Sequence, residues 1–533
     1  MTYKEALDFI NTASTPGSVY GLERIRGLLN ALGNPQDRLK FIHIAGTNGK
    51  GSVSRMLACV LTAAGYRVGC FNSPYLVSPC EYLSVSGPHD TTKGSSSSGY
   101  TSVSSSGCIE SDDPITVNFN PVPATEEEFS QETARVMEAT LDLLAAPLKK
   151  DSERIKFFFA DRSDSPISSI DISGSLRPTA FEYYTAMAID YFARRDCDFA
   201  ILECGLGGKD DSTNVIPFPE VAIITRIGLD HTELLGPDIA SIAAAKAGII
   251  KKGCSAIAYP SDEEALNVIR ETCVKEACSI SVADPAKLRI VHTGVLEGDT
   301  VTYDGSPELK LSLMGAHQAL NAAVVIEAVK ALNDRLSRSP SDGHVHATKD
   351  SNSQTKYKNN FVIGNEALRR GLAGTVWPAR LTLMSTDPPV ILDGAHNPQC
   401  MSVLCESLAN IVRKFSNALD VSDISVSDQS SCYASNRFII ITGVMSDKNF
   451  TDMYRQLAPF AAKVYAVRPD NPRSLDPEEI VRIFEGYGIP ASVSDSVTTA
   501  VEQATQEVRC KNGSYLGVVV TGSLYMMKPL LTK

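Results

Sequence analysis

The chain has 533 residues, of which 43% are hydrophobic and 21% charged, and its formal net charge is −12 at pH 7. This length is enough for two or three well-packed domains, and the composition is that of an ordinary globular protein. The negative charge argues against broad nucleic-acid binding, because phosphate backbones attract basic surfaces. No apolar run approaches the ~18 residues of a membrane span. We therefore expect neither a nucleic-acid partner nor a membrane partner.

The 13 cysteines are scattered, odd in number and without a C-x-x-C pair. This pattern predicts free thiols in a reducing compartment, without a disulfide framework or a zinc site. The N-terminal residues MTYKEALDFINTA have an amphipathic helix pattern and lack the apolar core of a signal peptide. We expect a cytoplasmic protein, with a mitochondrial pool left open.

The first strong element is the stretch FIHIAGTNGKGSVSRMLACVL, from Phe41 to Leu61. An apolar strand passes into a helix pattern, Lys50 to Ala64, through a loop made of Gly46, Thr47, Asn48, Gly49, Lys50, Gly51 and Ser52. Glycines let backbone N–H groups face inward, the helix directs its positive end at the same place, and Lys50 adds a charge. These features predict a phosphate-binding loop. The match to the general P-loop is imperfect, and a plain glycine turn before a buried helix is the alternative.

Short buried strands and longer helices alternate up to about Ala258, which predicts a doubly wound α/β domain. The expected helices are 126–145, 181–195 and 239–250, and the expected strands are 199–202 and 221–225. Short alternating strands follow, at 301–303 and 310–313, and then a helix over 317–332. The βα rhythm resumes with strands at 389–392, 438–442, 463–467 and 515–521.

The fold class is therefore α/β, with two domains. We place an N-terminal P-loop-type domain at 1–314 and a smaller C-terminal α/β domain at 315–533. Four serine-rich or polar stretches have compositions that bury too little apolar surface to order themselves. They are expected to be surface insertions without an assigned role, near 89–124, 148–176, 333–360 and 416–436.

Three polar side chains follow buried strands or lie within an apolar helix. Glu203, at the carboxyl end of a strand and before glycines, suits a magnesium ligand near a nucleotide, whereas Asp210 suits a helix cap or a solvated turn. His231 fits a metal ligand, a base or a satisfied structural histidine. Lys246 fits either a desolvated lysine, which is nucleophilic or accepts carbon dioxide as a carbamate, or a side chain that snorkels.

The second domain offers a weaker group of candidates. Asp393 and His396 lie in DGAHNP, where a strand gives way to a helix, and Arg380 precedes them in WPAR. An arginine binds phosphate through two parallel hydrogen bonds. A helix cap or a loop turn explains the Asp393 group almost as well.

Together these segments resemble the folylpolyglutamate synthase and dihydrofolate synthase family, which belongs to the Mur ligases. The resemblance covers nearly the whole chain outside the insertions. It rests on these segments: GTNGKGS at 46–52, SPYL at 73–76, LECGLGGKDDSTNVI at 202–216, IGLDHTELLG at 227–236, KAGIIKKG at 246–253, GAHQALNA at 315–322, WPAR at 377–380, LDGAHNP at 392–398, GVMSDKN at 443–449 and TGSLY at 521–525.

The resemblance implies an ATP-dependent ligase that joins a folate or pteroate carboxylate to the amine of L-glutamate through an acyl phosphate. It implies ATP and Mg²⁺ as cofactors, an active site in the interdomain cleft and, in our expectation, a monomer. By resemblance Lys50 and the 46–52 loop hold the ATP phosphates, and Lys246 matches a lysine that is carbamylated in the family. The other implied contacts are Ser73 and Glu203 for one magnesium ion, His231 for a second, His317, Gln318 and Asn321 for adenine, Arg380 for a phosphate, and Asp393 and His396 for nucleotide or glutamate.

The sequence departs from the family pattern at four places, and the first two concern the choice of acceptor and not the ATP chemistry. Tyr75 replaces a histidine, Tyr82 an arginine, Arg226 an asparagine, and Lys209-Asp210 an arginine–leucine pair. Arg226 is a candidate for the acceptor's polyanionic tail.

The leading interpretation is a folylpolyglutamate synthase, and the alternative is a dihydrofolate synthase or one enzyme that does both. A catalytically silent nucleotide-binding protein would be expected to lack one of Lys50, Glu203, His231 or Lys246, and all four are present. A cell-wall muramyl ligase is a third interpretation, which the SPYL, LECGLGG and KAGI segments fit less well.

Overall fold

The computed structural model describes residues 1–13, 21–87, 118–145, 177–291, 296–338, 362–418, 437–510 and 514–532. The expected insertions lie mostly outside these residues, so their nature stays a prediction. The described residues form two compact units. Unit 1 falls within Met1–Lys93, Asn118–Ala286 and Asn321–Gly374, and unit 2 within Lys287–Leu320 and Thr375–Lys533. Within the described residues, no helix is long and apolar enough to span a membrane.

The sheet of unit 1 has seven strands. They are β1 (Lys40–Ala45), β2 (Val68–Phe71), β3 (Ser84–Ser86), β4 (Phe199–Glu203), β5 (Pro219–Ile224), β6 (Ser255–Ala258) and β7 (Ser279–Val282). Their spatial order is β3-β2-β4-β1-β5-β6-β7, and all neighbours are parallel except β2 and β3. The central strands β1, β4 and β5 are almost wholly buried, which explains their continuous apolar runs. Their carboxyl ends meet at one edge of the sheet.

Helices flank this sheet. Unit 1 contains α1 (Tyr3–Thr12), α2 (Glu23–Ala31), α3 (Lys50–Ala63), α4 (Glu126–Ala145), α5 (Ala180–Arg194), α6 (Thr232–Leu235), α7 (Ile239–Ala247) and α8 (Glu263–Lys275). One apolar cluster joins α1, α2, α4 and α5 to the sheet, and a second joins α7 and α8 to it. The predicted helices at 50–64, 126–145 and 181–195 are confirmed to within one residue at each end. The helix predicted over 239–250 ends earlier, at Ala247.

Two further helices of unit 1 come from later in the chain, after residue 315. Helix α9 (Ala316–Ser337) begins in unit 2, and its residues from Asn321 onward belong to unit 1. Helix α10 (Asn365–Ala373) packs on α3 so closely that a Cβ atom at Gly371 would lie 2.5 Å from the Cα atom of Val60. Helix α3, which begins within the glycine-rich loop, therefore packs against a helix more than 300 residues away in the sequence.

Unit 2 contains a small antiparallel sheet and a larger, mostly parallel one. The small sheet has the order β10-β9-β8, from β8 (Leu288–Val291), β9 (Thr300–Tyr303) and β10 (Leu309–Lys310). The larger sheet has the order β11-β12-β16-β13-β14-β15, and only β11 is antiparallel to its neighbour. Its strands are β11 (Thr382–Thr386), β12 (Pro389–Leu392), β13 (Phe438–Thr442), β14 (Ala461–Ala466), β15 (Ala491–Val493) and β16 (Val518–Thr521).

The helices of unit 2 are α11 (Pro398–Ala418), α12 (Phe450–Leu457), α13 (Pro477–Gly486), α14 (Val497–Cys510) and α15 (Lys528–Leu531). Apolar side chains of α11, α12 and α13 pack on β12, β13 and β14 to form its core. The predicted strands at 389–392 and 438–442 are confirmed, whereas the strand predicted over 515–521 begins at Val518. The α/β fold class predicted from the sequence is confirmed.

Candidate active site

The glycine-rich loop, Gly46–Ser52, connects β1 to α3 and is called the phosphate loop below. Gly46 has a φ of 150° and Gly49 a φ of 91°, and residues with a side chain rarely adopt such backbone angles. A Cβ atom at Gly46 would also collide with Oγ1 of Thr225. The glycines are therefore needed for the path of the backbone, as the sequence predicted.

The loop is fastened to the segment that follows β5. The backbone N–H groups of Thr47 and Asn48 donate to the carbonyl oxygen of Arg226 at 2.9 and 3.2 Å. Oγ1 of Thr47 also donates to the Gly228 carbonyl at 3.0 Å and accepts from the Gly228 N–H at 3.1 Å. Two of the N–H groups in the predicted phosphate cradle are thus already engaged.

The donors left for an anion belong to the first turn of α3. Among the described residues, no hydrogen bond uses the backbone N–H of Gly49, Lys50 or Gly51. Such groups at a helix N-terminus have no intrahelical partner, and they carry the positive end of the helix dipole. The geometry suits a phosphate at this point.

Two lysines converge on one carbonyl oxygen of the phosphate loop. Nζ of Lys50 donates to the carbonyls of Gly46 and Thr47 at 3.1 and 3.2 Å. Nζ of Lys246, on α7, donates to the same Gly46 carbonyl at 2.8 Å. Lys246 is only 5% exposed, so it does not snorkel to the surface. Burial, and then the charge of Lys50, lower the pKa of Lys246 to about 7, so near neutral pH much of it is the uncharged amine.

Glu203 ends β4 next to Ile44 of β1, at the edge of the sheet where the phosphate loop begins. Its Oε2 accepts hydrogen bonds from Nδ2 of Asn72 at 2.9 Å and from the backbone N–H of Ser73 at 3.3 Å. The side chain is buried. The carboxylate of Glu203 and the hydroxyl of Ser73 supply oxygen, which Mg²⁺ prefers. Asn72 orients the carboxylate and was not singled out from the sequence, because no motif marks it.

His231 lies on an exposed turn after β5, with a φ of 51°. Its side chain is 47% exposed, and its Nε2 is 3.9 Å from Oδ1 of Asp230. A satisfied core histidine is therefore excluded for this residue. No group of three or more His, Cys, Asp or Glu side chains converges in the part of the chain that the structure describes. A magnesium site here would take few protein ligands and complete its shell with phosphates and water, as Mg²⁺ commonly does.

A second buried polar group lies beside these residues, and its histidine was not singled out from the sequence. His43 of β1 is fully buried, and its Nε2 is 2.8 Å from Oγ1 of Thr213. Asp211 accepts hydrogen bonds from the N–H of Leu206 at 2.9 Å, from the N–H of Thr213 at 3.0 Å and from the Thr213 hydroxyl. Because that hydroxyl donates to Asp211, His43 must donate to Thr213. Asp210, by contrast, is exposed, as a solvated turn residue would be.

Acid is expected to weaken the fold through His43. Burial, and then the charge of Lys251, lower its pKa from 6.5 to about 3. The unfolded state therefore binds more protons between these values, and the free energy of unfolding falls as the pH drops through 6.5. One unit below 6.5 this loss is about 1.4 kcal/mol. Urea unfolding gives the difference between the free energies of unfolding of wild type and His43→Gln. This difference should be smaller at about pH 5.5 than at about pH 7.5, by about that amount.

His231→Gln controls for the removal of a histidine as such, because its side chain lies on the surface. A gap between wild type and His43→Gln that stays constant with pH would contradict the assignment of His43 as a buried neutral side chain.

In unit 2, Asp393 follows β12 and holds a tight turn. Its Oδ2 accepts from the N–H of Leu381 and its Oδ1 from the N–H of Ala395, both at 2.9 Å. Burial raises the pKa of Asp393, and the charge of Arg380 opposes that shift. The carboxylate thus stabilises a turn in which Ala379 and Leu381 have φ values of 58° and 49°. A structural role is visible for Asp393, and its contact with a ligand stays a prediction.

The side chains of Arg380 and His396, near Asp393, are each within hydrogen-bond distance of a backbone carbonyl oxygen. Nη1 of Arg380 donates to the carbonyl of Ala379 at 2.8 Å, and Nδ1 of His396 lies 2.8 Å from the carbonyl of Gly394. Both side chains are half-buried. Their predicted contacts with phosphate and glutamate also stay predictions.

The residues predicted to contact adenine lie in the first turns of α9. Gln318 and Asn321 are buried, and the N–H of Gln318 donates to the Gly315 carbonyl at 2.8 Å. Within unit 1, Oδ1 of Asn321 lies 3.0 Å from where a Cβ atom at Gly49 would stand. Asn321 therefore lies against the phosphate loop. His317 belongs to unit 2, beside Gly315.

Comparison with known proteins finds similarity along nearly the whole chain. The chain matches the Mur ligase middle domain over residues 166–329 and the Mur ligase glutamate ligase domain over residues 425–524. It is 28% identical to a dihydrofolate synthase/folylpolyglutamate synthase of Bacillus subtilis, covering 99% of this chain and 98% of the relative. It is also 28% identical to a folylpolyglutamate synthase of Lacticaseibacillus casei, covering 99% and 97%.

A solved structure agrees with the fold. The Mycobacterium tuberculosis folylpolyglutamate synthase complexed with ADP superposes with a TM-score of 0.71 and 25% identity, over 99% of this chain and 97% of that one. The chain therefore matches two Mur ligase domains and is similar, over nearly its whole length, to folylpolyglutamate and dihydrofolate synthases.

Proposed function

We propose that this protein is an ATP- and magnesium-dependent folylpolyglutamate synthase. It adds L-glutamate to the γ-carboxylate of tetrahydrofolates. The observation that carries this proposal is the phosphate loop with its unused N–H groups, Lys50 and Lys246 at one carbonyl, and Glu203 at the neighbouring strand end. A carboxylate is a poor acyl donor, because its leaving group would be oxide. Transfer of a phosphate from ATP gives an acyl phosphate, which the amine of glutamate attacks.

The residues of unit 1 fit the phosphoryl-transfer step. The N–H groups of Gly49, Lys50 and Gly51 and the Lys50 ammonium would hold the phosphates of ATP, where negative charge develops on the transferring oxygens. Ser73 and Glu203 would hold one Mg²⁺ and His231 a second, and Mg²⁺ supplies charge neutralisation at those oxygens. We assign this work to the N-terminal domain, 1–314, and the binding of glutamate to the C-terminal domain, 315–533, through Asp393 and His396.

We also propose that Lys246 works as a carbamate. Its uncharged amine attacks carbon dioxide: an N–C bond forms, one C=O π bond opens onto oxygen, and a proton leaves the nitrogen for solvent, so that the neutral amine becomes an anionic carbamate. The lowered pKa of Lys246 supports this step, because only the unprotonated amine is nucleophilic. The nearby charge of Lys50 would stabilise the product. The carbamate then supplies an oxygen ligand for a metal ion or a hydrogen-bond acceptor for substrate.

The second candidate is a dihydrofolate synthase or one enzyme with both activities. The Bacillus subtilis relative carries both names, which favours the bifunctional form. A silent nucleotide-binding protein is disfavoured, because the Lys50, Glu203 and Lys246 side chains are present and positioned at one edge of the sheet. We propose a monomer in the cytoplasm, with a mitochondrial pool left open.

The test is ADP release by the purified protein with Mg²⁺, ATP and L-glutamate, with tetrahydrofolate or dihydropteroate as the acceptor. Turnover with tetrahydrofolate alone supports the leading proposal, and turnover with both supports a bifunctional enzyme. Turnover with dihydropteroate alone would establish the dihydrofolate synthase instead. If neither acceptor leads to ADP release, the interpretation as a non-catalytic nucleotide-binding protein remains.

A further inference from the structure

Arg226 is rigidly attached to the phosphate loop through its backbone. Its carbonyl accepts the N–H groups of Thr47 and Asn48, and the residues pair as an isolated antiparallel bridge at Asn48. The next N–H, that of Ile227, donates to Oγ of Ser261 at 3.2 Å. The Cα atom of Arg226 therefore has a fixed position at the Thr47–Asn48 edge of the loop, and only its side chain is free to adjust.

The guanidinium of Arg226 has no partner among the residues that the structure describes. It makes no hydrogen bond, ion pair or ring contact with any of them, although it is half-buried. Two other arginines of unit 1 that are buried or half-buried have a carboxylate partner: Nε of Arg24 lies 3.0 Å from Oε2 of Glu182, and Nε of Arg335 lies 2.6 Å from Oε2 of Glu220. A charge withdrawn from water without a counter-charge costs stability. Its retention here indicates that a ligand supplies the missing anion.

The positive charges near Arg226 favour a negatively charged ligand. Lys50 and Lys246 already meet at the Gly46 carbonyl, two residues before Asn48, and the charge of Lys50 helps to lower the pKa of Lys246. A further cation beside this loop adds to the same positive field. A guanidinium fork binds a carboxylate or a phosphate through two parallel hydrogen bonds.

We infer that Arg226 binds a carboxylate of the acceptor's glutamate tail and so favours acceptors that already carry glutamate; this inference rests on the proposed function. The alternative source of the oxyanion is ATP. The unused donors suited to phosphate are the N–H groups of Gly49, Lys50 and Gly51, at the start of α3. Arg226 instead pairs with Thr47 and Asn48, on the β1 side of those donors, where the N–H groups are turned toward its own carbonyl. That position favours the acceptor over the nucleotide.

The experiment measures binding separately from turnover. Isothermal titration calorimetry on the full chain gives the Kd of three probes: AMPPCP with Mg²⁺, and, in its presence, folate with three γ-linked glutamates or dihydropteroate without glutamate. Arg226→Gln removes the charge and keeps a shorter polar side chain, whereas Arg226→Lys keeps the charge and removes the fork. Arg482→Gln, at an exposed position on α13 of unit 2, is the matched control.

For Arg226→Gln we expect the Kd of the triglutamylated folate to rise about tenfold, the loss of one charge-assisted hydrogen-bonded pair. The Kd of AMPPCP and of dihydropteroate should stay within about twofold of wild type, since neither carries the tail. Arg226→Lys should recover part of the loss, and Arg482→Gln should resemble wild type.

An equal weakening of AMPPCP would overturn the inference and assign Arg226 to a phosphate. Unchanged affinity for all three probes would remove Arg226 from substrate binding altogether. Wild-type protein that binds only dihydropteroate would overturn both the tail contact and the leading function. Protein that shows the expected affinities and releases no ADP would leave the tail contact standing while the proposed function fails.

Discussion

Lys246→Ala is expected to lose ligation by about 10²–10³-fold while the protein stays folded. The wild-type amine reaches the Gly46 carbonyl from α7, and its pKa of about 7 makes it available to carbon dioxide near neutral pH. An ordinary lysine, with a pKa of 10.5, would be uncharged about once in 3,000 molecules at the same pH. Alanine removes both the amine and any carbamate formed on it. Steady-state ADP release with saturating tetrahydrofolate and glutamate measures the loss.

The fold should survive this change because the wild-type lysine is itself costly to bury. Its pKa is lowered in the folded state, so the unfolded state binds more protons between about pH 7 and 10.5, and the lysine contributes less stability as the pH falls through that range. Removing it leaves a small void and relieves that cost. The midpoint of thermal unfolding should therefore change little. Lys252→Ala, at an exposed position six residues further on, is the matched control and should keep full activity.

Bicarbonate separates the carbamate from a plain amine. Wild type in buffer depleted of carbon dioxide should lose activity and regain it when bicarbonate is added. An inactive Lys246→Ala together with a wild type indifferent to bicarbonate would mean that the amine itself acts. Near-normal turnover by Lys246→Ala would remove the lysine from the mechanism.

The local part of this site was predictable from the sequence, and the long-range part was not. The run from Phe41 to Leu61 predicts strand, glycine turn and helix, because each step has its own local signal. The order of strands has no such signal, and it places β1 between β4 and β5. Only that order brings Glu203 beside Ile44 and the phosphate loop.

Lys246 and His43 show the same limit at single side chains. Periodicity places Lys246 on a helix, and snorkelling and a buried amine were equally compatible with it. The contact that decides between them is with a carbonyl 200 residues away. His43 lies in an apolar strand, which predicts burial, while its partner Thr213 is 170 residues away and no local signal links the two. The N–H groups of Thr47 and Asn48 likewise donate to the Arg226 carbonyl because β1 and β5 are neighbours in the sheet. The loop sequence alone does not predict this contact.

Glu203→Gln is expected to raise the Mg²⁺ concentration for half-maximal activity at least about tenfold and to lower turnover at saturating Mg²⁺ about 10²-fold. Glutamine keeps the size of the side chain and an oxygen that accepts from Nδ2 of Asn72 and the N–H of Ser73. The change therefore removes the negative charge and leaves the local packing in place. Because glutamine also relieves a buried carboxylate, stability should be retained or increased.

The measurement is a Mg²⁺ titration of ADP release at fixed ATP, with circular dichroism of the same samples as a check on folding. Glu271→Gln, which neutralises an exposed carboxylate on α8, is the matched control and should follow the wild-type titration. If Glu203 only shapes the end of β4, the variant will show the wild-type Mg²⁺ dependence with reduced thermal stability. A shifted Mg²⁺ dependence in a stably folded protein is the result that a metal ligand gives and a structural residue does not.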